Sequence, residues 1–303
     1  MQIDMKVVDK WLQGKGHKDP FIKLAADDGS QMKLMLESRS MLSNFVLEEW
    51  FTVELSQNQQ TLEPEDDDPE NLNVISWSGG HDSTAMLHHL IHRKGFDNFK
   101  VVFLDSTITL PETLEYIDLI VKEFGIQKQF VSLKPKLGFY GYLMKYSFWP
   151  AIRALWCRKE LKLMRDFIKG IECPVTEFVG VSQFDSSIRK SLYRKIETRR
   201  KWGRKEVTVE YPILRWSDQQ KKQYFKKHRI PRNRVYETMG VSGCYFCPYY
   251  HEKEFRKLYR FHPDLFELLV CCEEKIGKRA VPDFWLKSLI QENKITNYME
   301  EKQ

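Results

Sequence analysis

Residues 73–95, NVISWSGGHDSTAMLHHLIHRKG, constrain the fold more than any other part of this 303-residue chain. An apolar run over 73–77 reads as a strand. The loop Ser78-Gly79-Gly80-His81-Asp82-Ser83 then turns the chain, and 83–94 reads as a helix with Ala85, Met86, Leu87, Leu90 and Ile91 on its inner face. Adjacent glycines let the backbone approach an anion closely and adopt torsions that a β-carbon opposes. The helix start adds unsatisfied N–H groups and the positive end of a dipole, while Ser78 and Ser83 add hydroxyls. The segment predicts a concave phosphate site at the carboxyl end of a strand, where open α/β sheets bind ligands. It is neither a GxxxxGKS/T loop nor a GxGxxG loop.

Further apolar strands are expected over 100–105, 128–133 and 177–182, with a helix over 111–124 between the first two. Continuous apolar strands alternating with helices predict an α/β fold with a mainly parallel, doubly wound sheet over 72–215. After Pro212 the pattern turns mostly helical, and a helix is expected to start at Ser217 or Asp218, giving a helical region over 216–303. Residues 57–71, QNQQTLEPEDDDPEN, read as an acidic linker, and 1–56 as a small accessory module with a hairpin around Asp28-Gly29. No apolar run reaches the roughly 20 residues needed to span a bilayer, and the start has no charged-then-apolar signal layout, so a cytoplasmic protein is expected. The net charge is +6, and much of the excess falls in residues 189–205, RKSLYRKIETRRKWGRK. That stretch is either a solvated face or a contact surface for nucleic-acid phosphates, with Tyr193 and Trp202 as stacking groups.

The hexapeptide SGGHDS is similar to the SGGxDS loop of the phosphoadenosine phosphosulfate (PAPS) reductase/ATP-pyrophosphatase superfamily, in the same strand–loop–helix setting. FLDSTITLPETLEYI resembles that superfamily's strand-end "DT…FPET" signature. The resemblance implies that Asp105 faces the nucleotide and that Glu112 supports the following helix; a first-turn acid stabilised by the helix dipole explains Glu112 equally well. GVSQFDSSIR resembles the family's G-x-R-x-x-E-S-x-x-R element, with Gly180, Asp185, Ser186 and Arg189 in matching places and Ser182 where the family carries Arg. The implied nucleotide site comprises Ser78, Gly79, Gly80, His81, Asp82, Ser83, Asp105 and Arg189, with Asp82 and Ser83 in catalytic roles.

Six cysteines stand at 157, 173, 244, 247, 271 and 272. In a reducing compartment they point to metal or redox chemistry rather than to a disulfide framework. Cys244 and Cys247 form a CxxC before Pro248, which serves zinc, iron–sulfur or thiol exchange. WCRKELK and GCYFCPYY resemble the cysteine-bearing elements of the family's iron–sulfur members, which adds Cys157. On the helix PDLFELLVCCEEKI a wheel places Cys272 with Leu265, Leu269 and Ile276, and Cys271 off that stripe, so Cys272 is taken as the fourth thiolate. A 4Fe–4S cluster is expected, with zinc as the alternative. Cys173 reads as a buried structural residue, and His251 and His262 as exposed or capping residues.

Sulfonucleotide reductases carry a nucleophilic cysteine in an ECGxH-like segment near their C-terminus, whereas WLKSLIQENKITNYMEEKQ has none. The resemblance then implies an ATP-pyrophosphatase that uses ATP and Mg²⁺ to adenylate a nucleic-acid acceptor for sulfur transfer, in DNA phosphorothioation or tRNA thiolation. Its partners would be DNA or tRNA and a sulfur donor such as a cysteine desulfurase. The alternatives are a sulfonucleotide reductase or sulfotransferase of small-molecule metabolism, and a non-catalytic nucleotide-binding subunit of a larger complex.

Overall fold

A computed structural model describes residues 71–149, 155–185, 187–241 and 243–290. The expected N-terminal module and all but the last residue of the acidic linker lie outside these residues, as does Ser186. The chain divides into two compact units. One holds the sheet, from its first strand to Pro135 and over Lys159–Cys244; the other holds Lys136–Arg158 and the segment from Tyr245.

In the sheet unit the strands are β1 (Leu72–Ser76), β2 (Phe99–Leu104), β3 (Phe130–Leu133), β4 (Val175–Val179), β5 (Glu197–Trp202) and β6 (Lys205–Glu210). They lie in the order β3-β2-β1-β4-β6-β5. All neighbours are parallel except β5 and β6. The helices are α1 (His81–Ile91), α2 (Pro111–Glu123), the C-terminal part of α4 (Leu155–Lys169), α5 (Ser187–Leu192), α6 (Asp218–His228) and α7 (Val235–Thr238). The chain leaves β1 toward β2 and β3 on one side and returns to β4 on the other. The loop after β1 therefore sits at the switch point of the sheet, where parallel α/β folds open a crevice.

The two sheet faces bury separate cores. Ile75, Val101 and Phe103 pack with Ala85, Met86 and Leu87 of α1, Ile117 and Ile120 of α2, and Phe225 of α6. Val74, Val102, Val207 and Val209 pack with Met164 and Ile168 of α4. Val74 and Ile75 are consecutive, point to opposite faces and are both fully buried, as a doubly wound sheet requires. Each buried aliphatic side chain of this kind contributes roughly 1.5–3 kcal/mol.

Several boundaries differ from the sequence expectation. α1 begins at His81 rather than 83 and ends at Ile91 rather than 94, and β4 is Val175–Val179 rather than 177–182. Residues 197–210 form an antiparallel hairpin that the sequence reading did not anticipate. Its charged edge strand β5 hides the period-2 pattern, and only Val207 and Val209 of β6 reach the core. α6 is capped by Ser217, whose hydroxyl accepts from the Gln220 N–H while the Gln220 side chain accepts from the Ser217 N–H, a capping box.

The second unit contains α3 (Phe139–Tyr146), the start of α4, α8 (Glu252–Phe261) and α9 (Pro263–Ile276). Its interior is aromatic. Phe139 packs on Trp149, Trp156 and Phe246, and the Tyr245 hydroxyl donates to that of Tyr140 at 2.8 Å. Fully buried Glu273 accepts from the backbone N–H groups of Ala280 and Leu286 at 2.8 and 2.7 Å, tying α9 to the segment that follows it. Among the described residues, no helix is long and apolar enough to cross a membrane.

Candidate functional site

The loop of residues 78–83 is held from inside and from three neighbouring segments. The Ser83 hydroxyl lies 3.1 Å from that of Ser78, accepts from the Ser78 N–H at 3.3 Å and donates to the Gly80 carbonyl at 3.1 Å. Gly79 has φ +71°, and a β-carbon there would meet Thr113 Cγ2 at 3.2 Å. Its left-handed backbone and the nearness of α2 both call for glycine. Buried Asn233 donates its amide to the Gly79 carbonyl at 3.2 Å and to Thr113 Oγ1 at 3.1 Å, and its own oxygen accepts from the Val235 N–H. From the other side comes Gly180, just past β4. A β-carbon there would stand 2.6 Å from Ser83 Cα and 2.9 Å from Ser83 N. Gly80 occupies the N-cap of α1 and brings no side chain to the helix start. The first turn of α1 thus carries no N-cap side chain, which leaves its dipole open to an anion.

Beside this loop, the buried ammonium of Lys221 on α6 contacts three carboxylates: Asp82 at 2.8 Å, Asp218 at 2.9 Å and Asp185 at 3.0 Å. Burial works to lower the Lys221 pKa, but the three carboxylates outweigh it and hold the ammonium above its ordinary range. Burial raises the Asp82 carboxyl in spite of the opposing pull of Lys221. His81 stacks on Tyr236 with ring centroids 3.9 Å apart, and its backbone N–H donates to the Tyr236 hydroxyl. Burial, reinforced by Arg232, Lys221 and Lys222, pushes the His81 pKa down from 6.5 to about 4. The imidazole is neutral at pH 7, and its buried Nε2 has no hydrogen-bond partner.

Of the sequence-derived site residues, Ser78, Gly79, Gly80, His81, Asp82 and Ser83 form this loop. Asp105 follows β2 on the same, carboxyl edge of the sheet. It accepts from the Thr107 N–H at 2.8 Å, within a turn where Thr107 has φ +60°, and lies 3.9 Å from Lys134. The Thr238 hydroxyl donates to Glu112 in the first turn of α2 at 3.3 Å. Arg189 lies in α5, and its side chain is outside the described structure. Ser182 is fully buried; it donates to the Trp216 carbonyl at 2.8 Å and accepts from the Phe184 N–H at 3.1 Å. Both of its hydrogen-bonding roles are therefore used within the fold. Sequence reasoning missed Lys221, Asn233 and Tyr236. Their segments carry no motif, and only the docking of α6 and α7 against α1 gives them a role.

None of the six cysteines forms a disulfide. Cys244 belongs to the sheet unit, where its thiol lies 3.2 Å from Ser106 Oγ and its backbone bridges Thr109. Cys157, Cys247 and Cys272 belong to the second unit. Cys157 is half-buried near the start of α4, half-buried Cys247 has its thiol pushed up by burial, and Cys272 is fully buried in α9. The wheel is corrected on one point: Cys271 is buried too, because α9 packs on a broad face that includes Leu268 and Val270. Cys173 is half-buried rather than buried. His251 stands at the N-cap of α8, where its N–H donates to Glu254 at 2.9 Å. Among the described residues, no three or more His, Cys, Asp or Glu side chains are grouped so as to hold a metal ion.

The chain is 29% identical over 219 residues to an uncharacterized protein of Methanocaldococcus jannaschii, a match covering 71% of this chain and 44% of that one. It thus spans less than half the length of this curated relative. The PAPS reductase of Candida auris, solved with phosphate, is similar at 15% identity and TM-score 0.46, covering 57% of this chain and 80% of that one. The U34-tRNA thiolase NcsA of Methanococcus maripaludis, solved with its 4Fe–4S cluster, is similar at 13% identity and TM-score 0.40, covering 69% and 73%. The family model for the phosphoadenosine phosphosulfate reductase domain matches residues 72–250, from the first residue of β1 to beyond the CxxC. With the SGGHDS loop at the switch point of its doubly wound sheet, the chain belongs to the phosphoadenosine phosphosulfate reductase domain family.

Proposed function

We propose that this chain is an ATP-pyrophosphatase that adenylates an acceptor oxygen of a nucleic acid, in DNA or tRNA, and so activates it for sulfur transfer. The observation that carries this reading is the clamped loop of residues 78–83. Its backbone is held by hydrogen bonds with Ser83, Tyr236 and Asn233, the positioning that electrostatic stabilisation of a transferring phosphoryl group requires. MgATP is the substrate, with its β,γ-phosphates seated on the loop and the first turn of α1. The acceptor oxygen attacks the α-phosphorus, the bond to the β-phosphate oxygen breaks, and pyrophosphate leaves. A sulfur nucleophile then displaces AMP from the acceptor; where a cysteine desulfurase supplies it as a persulfide, a second thiol cleaves the resulting S–S bond, leaving the thiolated acceptor and a disulfide. Asp82 of the loop is paired with Lys221 of α6, a cation it shares with Asp185 and Asp218. Ser182 favours activation over sulfonucleotide reduction, because its buried hydroxyl cannot take the anion-gripping part of the family's Arg.

The test is pyrophosphate release from MgATP by the purified chain, with and without tRNA or single-stranded DNA. Release that rises with one polymer and is abolished by Asp82→Ala or Ser83→Ala is expected. Sulfite from PAPS and a thiol, with no pyrophosphate from ATP, would establish the reductase reading instead. No step above runs through an iron–sulfur cluster. The family resemblance supports a cluster on Cys157, Cys244, Cys247 and Cys272 independently of these steps. Anaerobic purification with iron, sulfide and zinc analysis tests it: equimolar iron and sulfide support it, and zinc without sulfide overturns it.

A further inference from the structure

We propose that the cleft between the β5–β6 hairpin and the segment before it is a docking groove for one strand of nucleic acid, gripped by its phosphates. This rests on the adenylation reading above and says where the polymer that carries the acceptor would lie. The cleft encloses about 370 Å³ and is lined by Tyr193, Arg194, Lys195, Arg199, Arg200 and Tyr211, together with Leu192 and Thr198.

Its chemistry is cationic. The negative groups near it include Glu177, whose carboxylate interacts with Arg200, and Glu197, Glu206 and Glu210; Glu206 is spent on Arg199 at 3.4 Å in a pair whose members are 74% and 51% exposed. Such an exposed pair yields readily to a phosphate. The Arg200 guanidinium is pre-set by its 2.6 Å hydrogen bond to the Tyr211 hydroxyl, and the Tyr193 ring meets Tyr211 edge-on at 5.1 Å. The Thr198 hydroxyl oxygen is buried with no hydrogen-bond partner.

Topology gives the cleft its relevance. β5 runs antiparallel to the rest of the sheet, so its start at Glu197 pairs with Glu210 at the end of β6. The cleft therefore opens on the carboxyl edge of the sheet, the edge that carries the phosphate loop. It lies two to three strands from β1, which is about 10–14 Å at the ordinary interstrand spacing. Cations on an edge strand also serve to block edge-to-edge pairing. That role does not require Arg194 and Lys195, which lie before the strand, or the seating of Arg200 on Tyr211.

The experiment uses the full chain and fluorescein-labelled 20-nucleotide single-stranded RNA and DNA, followed by anisotropy across a salt series. The variant Lys195→Gln/Arg199→Gln/Arg200→Gln is compared with Lys122→Gln/Lys226→Gln/Lys227→Gln, which removes the same charge from exposed positions on α2 and α6. The hairpin variant is expected to bind at least about tenfold more weakly at 0.1 M salt. Its log–log salt slope should fall by about 2, for three contacts at roughly 0.7 each. The control should stay within about threefold of the native chain. Equal weakening in both variants, unchanged binding in the hairpin variant, or binding only to anionic phospholipid vesicles overturns the groove. The two proposals fail separately: pyrophosphate release without oligonucleotide binding sinks the groove alone, and hairpin-dependent binding without pyrophosphate release sinks adenylation alone.

Discussion

Replacing Gly180 by alanine tests whether the phosphate loop is held by packing from β4 or merely lies near it. The added β-carbon would stand 2.6 Å from Ser83 Cα, 2.9 Å from Ser83 N and 3.2 Å from the Asp82 carbonyl carbon, all backbone atoms of the loop and the first turn of α1. Ordinary carbon–carbon contact begins near 3.5 Å, so the two segments must part by about 0.9 Å. No flexible side chain is available to absorb that displacement. Overpacking of this kind costs roughly 1–3 kcal/mol of stability. A shift approaching 1 Å in a positioned phosphate site costs about 100-fold in rate, or about 2.7 kcal/mol of transition-state stabilisation. Gly180→Ala should therefore lower kcat/KM for polymer-stimulated pyrophosphate release by about 100-fold and lower Tm by several degrees. Gly170→Ala is the control: its β-carbon would find only the Phe167 carbonyl oxygen at 3.4 Å and that of Asp166 at 3.7 Å, which is normal contact. It should stay within about 0.5 kcal/mol of the native chain. If Gly180→Ala matches Gly170→Ala in both kcat/KM and Tm, the close approach of β4 to the loop is not what holds the site.

Asn233→Ala removes the amide that joins the Gly79 carbonyl to Thr113 and should cost roughly 1–3 kcal/mol, read by urea unfolding, together with a rise in KM for MgATP; unchanged unfolding would refute the clamp. Lys221→Met leaves Asp82 and Asp185 without their shared cation and should destabilise by about 3 kcal/mol. Adding Asp82→Asn should recover part of that loss, and strict additivity of the two changes would show that the residues are uncoupled. Stability should also fall with acid through two histidines, each with its pKa pushed from 6.5 down to about 4: His81, and His88, which is lowered by burial and then by His92, His228 and His89. Between pH 6.5 and about 4 the unfolded chain binds protons at these sites and the folded chain does not, so stability rises with pH there and levels off above 7. The Tm of His88→Gln should depend less steeply on pH across that window, and an equal slope would count against the assignment.

The loop was legible because local chemistry alone dictates it. Two glycines between an apolar run and a helical stripe admit few structures, and SGGHDS adds a family resemblance. The alternation of strands and helices likewise revealed the parallel sheet, since strands buried on both faces advertise themselves as continuous apolar runs. The hairpin was obscured because β5 is an edge strand of Glu, Thr, Arg, Arg, Lys and Trp whose pairing depends on β6 rather than on its own composition. Lys221 was invisible for a different reason: on a helix as polar as DQQKKQYFKKH, nothing distinguishes the lysine that will be buried from those left in solvent. Asn233 is similar, because its partners lie 120 and 154 residues away in sequence. Cys271 was misplaced because a wheel assumes a single apolar stripe, whereas α9 buries eight of its residues on a broad face.

The Asn233 clamp also bears on the order in which the site can be made. The hexapeptide emerges early, yet its carbonyl anchor lies 154 residues further along the chain, and Lys221 follows Asp82 by nearly as much. Contacts of such long sequence separation are paid for late in folding, because the loop-closure entropy must be met first. A nascent chain released as far as β4 would hold every residue of the phosphate loop and still lack its fixed geometry. Competence to bind nucleotide would arise only once α6 and the segment before α7 have left the ribosome and docked. Ribosome-bound chains ending on either side of Asn233 should therefore differ in nucleotide binding far more than in secondary structure.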